Sequence, residues 1–386
     1  MEYRKLGDIC DVVSGGTPSR SKPEYWDGDI PWIKIGNIKG KYVSEADEFI
    51  TEEGLAGSSA KMLSKGTILY TIFATLGEAG VLTIDACTNQ AIAGITIKND
   101  DIIDRDYLYY YLKSKKNYVN DIGRGVAQNN INMSILRGFE VPIREIFEQQ
   151  TITDILDKIG KIIDLRKEEL DRFDELIKAR FVELFGRLED NKYPSARLGD
   201  YAKLQGGFAF KSKDFVADGI PLVQIGNVNK DYLDWNVVNA VPEDYLDKYR
   251  EFSLMKDDLV MAMTRPIIKS LGSVKVAKVA ETDLPCLLNQ RVGRFQINDK
   301  LHPVFLEALC KTDDFKDYVE RMSGNSLQPN ISSKQVEDYN IIIPPEALQE
   351  QFAKFVKQVD KSKVAVQKAL DEAQLLFDSL MQDYFG

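Results

Sequence analysis

An internal duplication constrains the fold of this chain more than any other feature. Residues 30–38 read IPWIKIGNI, and residues 220–228 read IPLVQIGNV. Other short matches follow in the same order in both halves: Leu6-Gly7-Asp8 with Leu198-Gly199-Asp200, Gly15-Gly16 with Gly206-Gly207, Asn89-Gln90 with Asn289-Gln290, Gln128, Asn130 and Ile131 with Gln328, Asn330 and Ile331, and Phe185-Gly186 with Phe385-Gly386. The repeated unit is far longer than a solenoid repeat. The sequence therefore predicts two copies of one fold.

Each copy has two parts of different composition. The first part mixes β-branched and aromatic runs, such as GTILYTIFA at 66–74, with Gly, Pro and Asn, which predicts a compact α+β domain. The second part has almost no Gly or Pro and is predicted to form one long helix. The predicted boundaries are 1–146 for the first domain (head 1), 147–186 for its helix, 187–345 for the second domain (head 2) and 346–386 for the C-terminal helix.

The two long helices carry the spacing of a coiled-coil seam, because apolar residues recur at alternate steps of four and three. The predicted interface residues are Ile152, Leu156, Ile159, Ile163, Leu170, Phe173 and Ile177 in the first helix, and Phe352, Val356, Val359, Val366, Leu370, Phe377 and Leu380 in the second. Equal length and register favour pairing of the helices with each other, antiparallel if a pseudo-twofold axis relates the copies. Packing of each helix on its own head is the alternative. We expect the polar positions Arg166, Arg180 and Lys363 to fix the register.

Sequence motifs for catalysis or metal binding are lacking. The chain has one histidine, His302, and no phosphate-binding loop, H-E-x-x-H or G-x-S-x-G motif. Its four cysteines form no C-x-x-C pair. We expect no active site, no metal and no cofactor in this chain.

Composition and charge set the expected environment. The N-terminus lacks a signal pattern and no long apolar run occurs, so a cytoplasmic protein without membrane contact is expected. The net charge is −10, and acidic residues outnumber basic ones in each head and each helix. Any nucleic-acid surface must therefore be local, since Lys and Arg supply the affinity for phosphates.

Polar and basic loops in both heads are candidate DNA contacts, because Lys, Arg and amide side chains bind phosphates and base edges. The candidates are Thr17, Ser19, Arg20, Lys22, Lys39, Lys41, Arg124 and Asn129 in the first copy, and Lys211, Lys213, Asn229, Lys230, Arg265, Lys269 and Asn325 in the second. For polar residues kept in both copies a structural role is favoured, since heads that read different sequences should differ at their contacts. These shared residues are Asn37, Asn227, Asn89, Gln90, Gln128 and Gln328.

The ordered motifs resemble a known family over essentially the full chain. The segments LGDICDVVSGGTPSRSKPEYWDGDIPWIKIGNI and LGDYAKLQGGFAFKSKDFVADGIPLVQIGNV, the two Q-x-N-I segments and the EQQ and QEQ helix starts are similar to the specificity (S) subunit of Type I restriction-modification systems. The resemblance implies two target recognition domains joined by antiparallel helices and reading a bipartite, non-palindromic double-stranded DNA sequence.

The resemblance also implies a complex around a non-catalytic subunit. The expected partners are two methyltransferase (M) subunits, which use S-adenosylmethionine to methylate adenine, and two restriction (R) subunits, which use ATP and Mg and cut DNA. Two alternatives stay open: the specificity subunit of a Type II-like system, and a coiled-coil adaptor with two protein-binding heads.

Overall fold

The computed structural model describes residues 2–123, 130–190, 192–324 and 326–386. The chain divides into two compact units. Unit 1 consists of Met1–Lys167 and Lys368–Gly386, and unit 2 consists of Glu168–Gln367. Each unit therefore contains one head, part of the central helix and part of the C-terminal helix.

Unit 1 is an α+β unit built on a five-stranded sheet. Its strands are β1 (Glu2–Lys5), β2 (Cys10–Ser14), β3 (Trp26–Ile33), β4 (Tyr42–Val43), β5 (Glu48–Ile50), β6 (Ile68–Thr71), β7 (Ala79–Leu82), β8 (Cys87–Thr88), β9 (Ile92–Ile97) and β10 (Glu140–Ile143). Its helices are α1 (Leu6–Ile9), α2 (Glu52–Ala56), α3 (Arg105–Ser114), α4 (Lys116–Gly123), α5 (Met133–Arg137) and the first part of α6 (Ile146–Phe185). The sheets are ordered β2-β9-β6-β7-β4 and β5-β3-β8, and β1 pairs with β10.

Unit 2 repeats this plan. Its strands are β11 (Ser195–Arg197), β12 (Ala202–Gly206), β13 (Ile220–Val223), β14 (Ala240–Val241), β15 (Leu259–Ala262), β16 (Ile267–Ile268), β17 (Ser273–Val274), β18 (Val276–Lys278), β19 (Leu287–Leu288), β20 (Val292–Ile297) and β21 (Asn340–Ile342). Its helices are α7 (Tyr245–Lys248), α8 (Pro303–Leu309), α9 (Asp313–Ser323), α10 (Ser333–Glu337) and the first part of α11 (Glu346–Phe385). The order β12-β20-β15-β18 matches β2-β9-β6-β7, and β14-β13-β19 matches β5-β3-β8. The predicted duplication of an α+β fold is confirmed.

The repeated apolar stretch belongs to the scaffold of each unit. IPWIKIGNI begins on β3 and IPLVQIGNV on β13, and each of these strands pairs in parallel with a short strand, β8 or β19. Ile33 and Val223 are fully buried. Because their side chains lie in the cores, these strands position the loops beside them.

The same glutamine holds a helix start in both units. The backbone N–H of Asp104, the N-cap of α3, donates to Gln149 Oε1 at 2.8 Å, and that of His302, the N-cap of α8, donates to Gln349 Oε1 at 2.8 Å. His302 Nδ1 accepts from the N–H of Val304 at 3.1 Å, which satisfies one of the free donors of the first helical turn. The single histidine is therefore a helix cap.

The sequence alignment of the Gly-Gly pairs is wrong by one residue. Gly15 N–H donates to Ile92 O and Gly207 N–H donates to Val292 O, each at 3.0 Å, so Gly207 is the partner of Gly15. A Cβ at Gly15 would lie 2.2 Å from the carbonyl oxygen of Asn89, and one at Gly207 would lie 2.3 Å from that of Asn289. Only glycine fits where the chain passes this carbonyl so closely.

Within unit 1, the start of α6 packs antiparallel against the end of α11. Tyr110 donates a 2.5 Å hydrogen bond to Asp157 of α6, and its ring lies 6.1 Å from that of Phe377 of α11. Nearer the start of α6, Tyr107 donates to Pro142 O and packs at 5.0 Å on Phe385. Residue numbers therefore rise along α6 in the direction in which they fall along α11, so the two helices run antiparallel here.

Within unit 2, the end of α6 packs antiparallel against the start of α11. The ring of Phe352 lies 5.6 Å from that of Phe181 and 5.4 Å from that of Phe185. About three helical turns further along α11, Lys363 is hydrogen-bonded to Asp174 of α6. The predicted antiparallel pairing is confirmed, and Lys363 has the partner expected of a register-fixing residue.

The predicted seam residues lie inside both units. Those that are buried are Ile152, Leu156, Ile159, Ile163, Phe352, Val359, Val366 and Phe377, and those that are partly buried are Leu170, Phe173, Ile177, Val356, Leu370 and Leu380. Ile152 and Leu156 share one hydrophobic core with the strands of head 1. The helices therefore pack on each other and also on the heads, as the alternative proposed, because the seam is continuous with each head core.

Candidate nucleic-acid interface

Arg20 of head 1 is held in place on an aromatic surface. Its guanidinium lies 3.6 Å from the ring centre of Trp26, and Nη2 lies 2.5 Å from Glu48 Oε2. A hydrogen bond from Lys34, and then one from Arg20, lowers the pKa of Glu48. The side chain of Arg20 is still 56% exposed, so the guanidinium edge is oriented and open to a ligand.

The other candidates of the first Gly-Gly loop form a polar cluster near Arg20. Thr17 Oγ1 donates to Gln90 Oε1, and Ser19 Oγ lies 2.8 Å from Ser21 Oγ. Lys22 Nζ donates to Tyr25 Oη at 2.8 Å and is exposed. The loop thus carries hydroxyl and ammonium groups, and Lys39 is exposed on the loop after β3.

Two of the predicted DNA contacts, Lys41 and Lys230, are paired with carboxylates of α6, and this pairing argues against their predicted role. Lys41 Nζ lies 2.5 Å from Asp157 Oδ1, and its side chain is only 14% exposed. In unit 2, Lys230 Nζ lies 3.3 Å from Asp174 Oδ2. Both lysines tie a head to a carboxylate of α6.

The remaining candidates of head 2 are on loops. Lys211 and Lys213 are exposed on the loop after Gly207, and Lys269 is exposed on the turn between β16 and β17. Asn229 Nδ2 donates to Tyr232 Oη at 2.9 Å. Arg265 is exposed and has a left-handed backbone, with φ of 50°. The candidates Arg124, Asn129 and Asn325 lie outside the described residues.

Shared asparagines satisfy backbone groups, as their structural interpretation predicts. Asn37 Oδ1 accepts from Lys34 N–H at 2.9 Å, and Asn227 Oδ1 accepts from Gln224 N–H at 3.0 Å. Asn89 Oδ1 accepts from Ala91 N–H at 3.1 Å. These side chains stabilise turns that both heads require.

Two exposed residues next to the shared motifs were missed. Arg291 directly follows the repeated Asn289-Gln290 pair, and Phe73 follows β6 at the position where head 2 has Thr264. Neither stands out locally, since a lone arginine and an apolar residue beside a strand are common. Comparing the two copies residue by residue at the ends of shared motifs would have found both.

Three further properties concern the described residues. Residues 2–123, 130–190, 192–324 and 326–386 contain no group of three or more His, Cys, Asp or Glu side chains placed to hold a metal ion. Burial raises the pKa of the Cys10 and Cys286 thiols to about 12. In the same part of the chain no helix combines the length and the apolar character needed to cross a membrane.

Known proteins share this duplicated architecture. The sequence matches the family described as Type I restriction modification DNA specificity domain over residues 1–173 and again over 191–373. The Type I restriction enzyme MjaVIII specificity subunit of Methanocaldococcus jannaschii is 25% identical over 95% of this chain and 89% of its own length. The MjaIX specificity subunit of the same organism is 26% identical over 98% of this chain and 91% of its own.

The fold is also similar to a solved one. The crystal structure of the S subunit of a Type I restriction-modification system from M. genitalium superposes with a TM-score of 0.55, covering 100% of this chain and 96% of that one at 16% identity. The two family matches fall on the two copies of the duplicated unit. This chain belongs to the family of the Type I restriction modification DNA specificity domain, which it contains twice.

Proposed function

We propose that this chain is the DNA sequence-specificity subunit of a Type I restriction-modification complex and catalyses no reaction itself. The observation that carries the proposal is the twofold family match, each copy on an α+β head of the same topology. Two heads of one fold with different exposed side chains suit the reading of a bipartite, non-palindromic target, one half-site for each head.

Differences between the exposed side chains of the two heads support the assignment of one half-site to each head. Head 1 presents Arg20 stacked on Trp26, whereas head 2 presents Lys211 and Lys213 on its corresponding loop. A stacked guanidinium has a fixed orientation and suits a base edge, while flexible lysines suit phosphates. The scaffold is shared and the contacts are not, as sequence-specific reading by two related heads requires.

The proposed partners are double-stranded DNA, two M subunits and two R subunits. S-adenosylmethionine would be bound by the M subunits, and ATP and Mg by the R subunits, with none in this chain. The net charge of −10 fits such a complex, because partner subunits would share the neutralisation of DNA phosphates.

A DNA-binding titration tests the proposal. The purified chain with its M subunits is mixed with short duplexes carrying genomic sequence, and affinity is measured from low to high salt. We expect one duplex to be preferred over the others, and affinity to fall linearly with the logarithm of salt concentration. Equal, weak binding to every duplex, or binding that does not respond to salt, would contradict the proposal.

A further inference from the structure

The two heads build the same backbone corner at the end of a central strand. In head 1, Ile72 N–H donates to Ala91 O at 2.8 Å, and Ile72 O accepts from Ile131 N–H at 3.1 Å. In head 2, Met263 N–H donates to Arg291 O at 2.8 Å, and Met263 O accepts from Ile331 N–H at 2.9 Å. We call residues 72–74, 91 and 130–131 corner 1, and residues 263–265, 291 and 330–331 corner 2.

The correspondence continues through the next residues of each corner. Phe73 forms an isolated antiparallel bridge with Asn130, and Thr264 forms one with Asn330. The following residue is left-handed in both heads, with φ of 61° at Ala74 and 50° at Arg265. Residues other than glycine rarely adopt this conformation, and such strained positions cluster at functional sites.

The exposed side chains of the two corners have opposite chemistry. Corner 1 presents the ring of Phe73, 39% exposed, with the methyl groups of Ala74 and Ala91. Corner 2 presents two guanidinium groups, those of Arg265 and Arg291, both on exposed residues. One backbone frame thus carries an apolar surface in one head and two positive charges in the other.

The arginines of corner 2 are held by hydrogen bonds to neighbouring residues. Arg291 Nη1 lies 3.3 Å from Thr264 Oγ1, and that hydroxyl donates to Asn330 Oδ1 at 2.7 Å. Arg265 N–H donates to Pro329 O at 2.8 Å, which holds its left-handed backbone. Thr264 is buried, so the series of hydrogen bonds from Asn330 through Thr264 to Arg291 is anchored in the unit.

We infer that these corners read base edges, corner 2 selecting guanine and corner 1 selecting the methyl group of thymine. The inference rests on the proposed function and adds the base chemistry of each half-site. A guanidinium matches O6 and N7 of guanine in two hydrogen bonds, whereas a phenylalanine ring gains contact area from the C5 methyl of thymine. A constant backbone with exchanged side chains is what two related heads need to read different bases.

The test uses the full chain with its M subunits and maps methylated sites after single substitutions. Arg265→Ala and Arg291→Ala should each relax a guanine of one and the same half-site, lowering preference for that base by about 5- to 150-fold. Phe73→Ala should relax a thymine of the other half-site. Lys256→Ala is the matched control, since this exposed lysine lies just before β15, whereas Arg265 lies beyond the other end of that strand.

Two further measurements separate base reading from charge alone. Arg265→Lys keeps a cation and should weaken the guanine preference, because an ammonium on a flexible stem lacks the rigid fork of parallel N–H donors that a guanidinium offers. A duplex with uracil in place of thymine should bind wild type more weakly, and Phe73→Ala should bind both duplexes equally. Thermal melting identifies any variant that has lost its fold, in which case the base-analogue comparison on wild type decides.

Different results would overturn corner reading and the proposed specificity function. A bipartite wild-type target that is unchanged by Arg265→Ala and Arg291→Ala, or an affinity loss that is uniform over sequences and restored by Arg265→Lys, overturns corner reading and leaves the specificity function standing. Absence of any target in wild type overturns both.

Discussion

At the scale of the residue, partners distant in the chain decide which charged side chains face a ligand. Lys41 and Arg20 look alike in the sequence, yet Lys41 binds Asp157 and is largely covered, while Arg20 lies on Trp26 with its edge exposed. Burial and pairing remove the lysine from the solvent. The guanidinium stays accessible because stacking uses its face and leaves donors free.

Replacing Arg20 by Ala should therefore affect the reading of one half-site only. The expected loss is about 1–3 kcal/mol for duplexes that keep the preferred base, and none for duplexes already changed there. Competition binding on a panel of single-base variants measures it, with Lys256→Ala as the control. A loss of equal size for every duplex would assign Arg20 to a phosphate instead.

The Asp174 carboxylate should make the stability of the folded chain depend on pH in acid. Burial acts to raise the pKa of Asp174, but Lys363 and Lys230 outweigh it, so the pKa in the folded chain is below the usual value. An unfolded aspartate titrates near pH 4, so the stabilisation by Asp174 is complete above about pH 4 and is lost as pH falls through the lower folded-state pKa.

The variant Asp174→Asn should melt below wild type at pH 7, and the difference should shrink as pH falls below about 4. Melting curves from pH 7 to pH 3 measure it, with the exposed Asp171→Asn on the same helix as control. A melting difference that stays constant across this range would show that the carboxylate charge of Asp174 is not what stabilises the pair.

At the scale of the element, the two long helices were predictable almost to their ends. The predicted helices 147–186 and 346–386 compare with the observed Ile146–Phe185 and Glu346–Phe385, because composition and heptad spacing are local properties. The corners could not be predicted, because β6 and β15 meet the segments before α5 and α10 only in the folded chain. Partners such as Thr264 and Asn330 leave no periodic pattern.

Charge placed in the seam should destabilise unit 1. Ile159 is 8% exposed and belongs to the core that joins α6, the end of α11 and head 1. The loss of its packing costs about 2–5 kcal/mol, and burying a carboxylate adds to this. Ile159→Asp should lower the melting temperature, while Ile162→Asp on the exposed face should not. Equal melting of both variants would contradict a buried seam.

Tyr110 gives a comparison between the two copies. It ties α3 to Asp157 and to Phe377, whereas the corresponding residue of α8, three places after the shared N-terminal aromatic, is Ala308. Ala308 lines a cavity of about 470 Å³ in unit 2. Tyr110→Ala should leave a space at the matching place in unit 1 and cost about 3–5 kcal/mol, as for other large buried aromatics. Chemical denaturation measures the loss, and a change below 1 kcal/mol would contradict it.

At the scale of the whole molecule, the duplication predicts that half a chain can replace the other half. Unit 1 needs residues 368–386, whose core residues are Phe377, Met381 and Phe385. In a fragment of residues 1–186, the matching positions 177, 181 and 185 are Ile, Phe and Phe. A second copy of the fragment can therefore supply the missing helix and complete an isologous dimer.

We expect this dimer, with M subunits, to methylate an interrupted palindrome built from the first half-site, because symmetry in the protein demands symmetry in the DNA. Light scattering gives the oligomeric state, and methylation mapping gives the target. A fragment that stays monomeric, or one that still methylates the asymmetric target, would contradict this use of the duplication.

The central claim, that one chain reads two different half-sites through two related heads, is tested most directly by mapping methylated adenines across the genome of a host that expresses this chain with its M subunits. The account predicts a single motif of two unlike half-sites separated by a fixed spacer, and its loss when this chain alone is omitted. Methylation that persists without this chain, or a motif with identical halves from the intact chain, would contradict it.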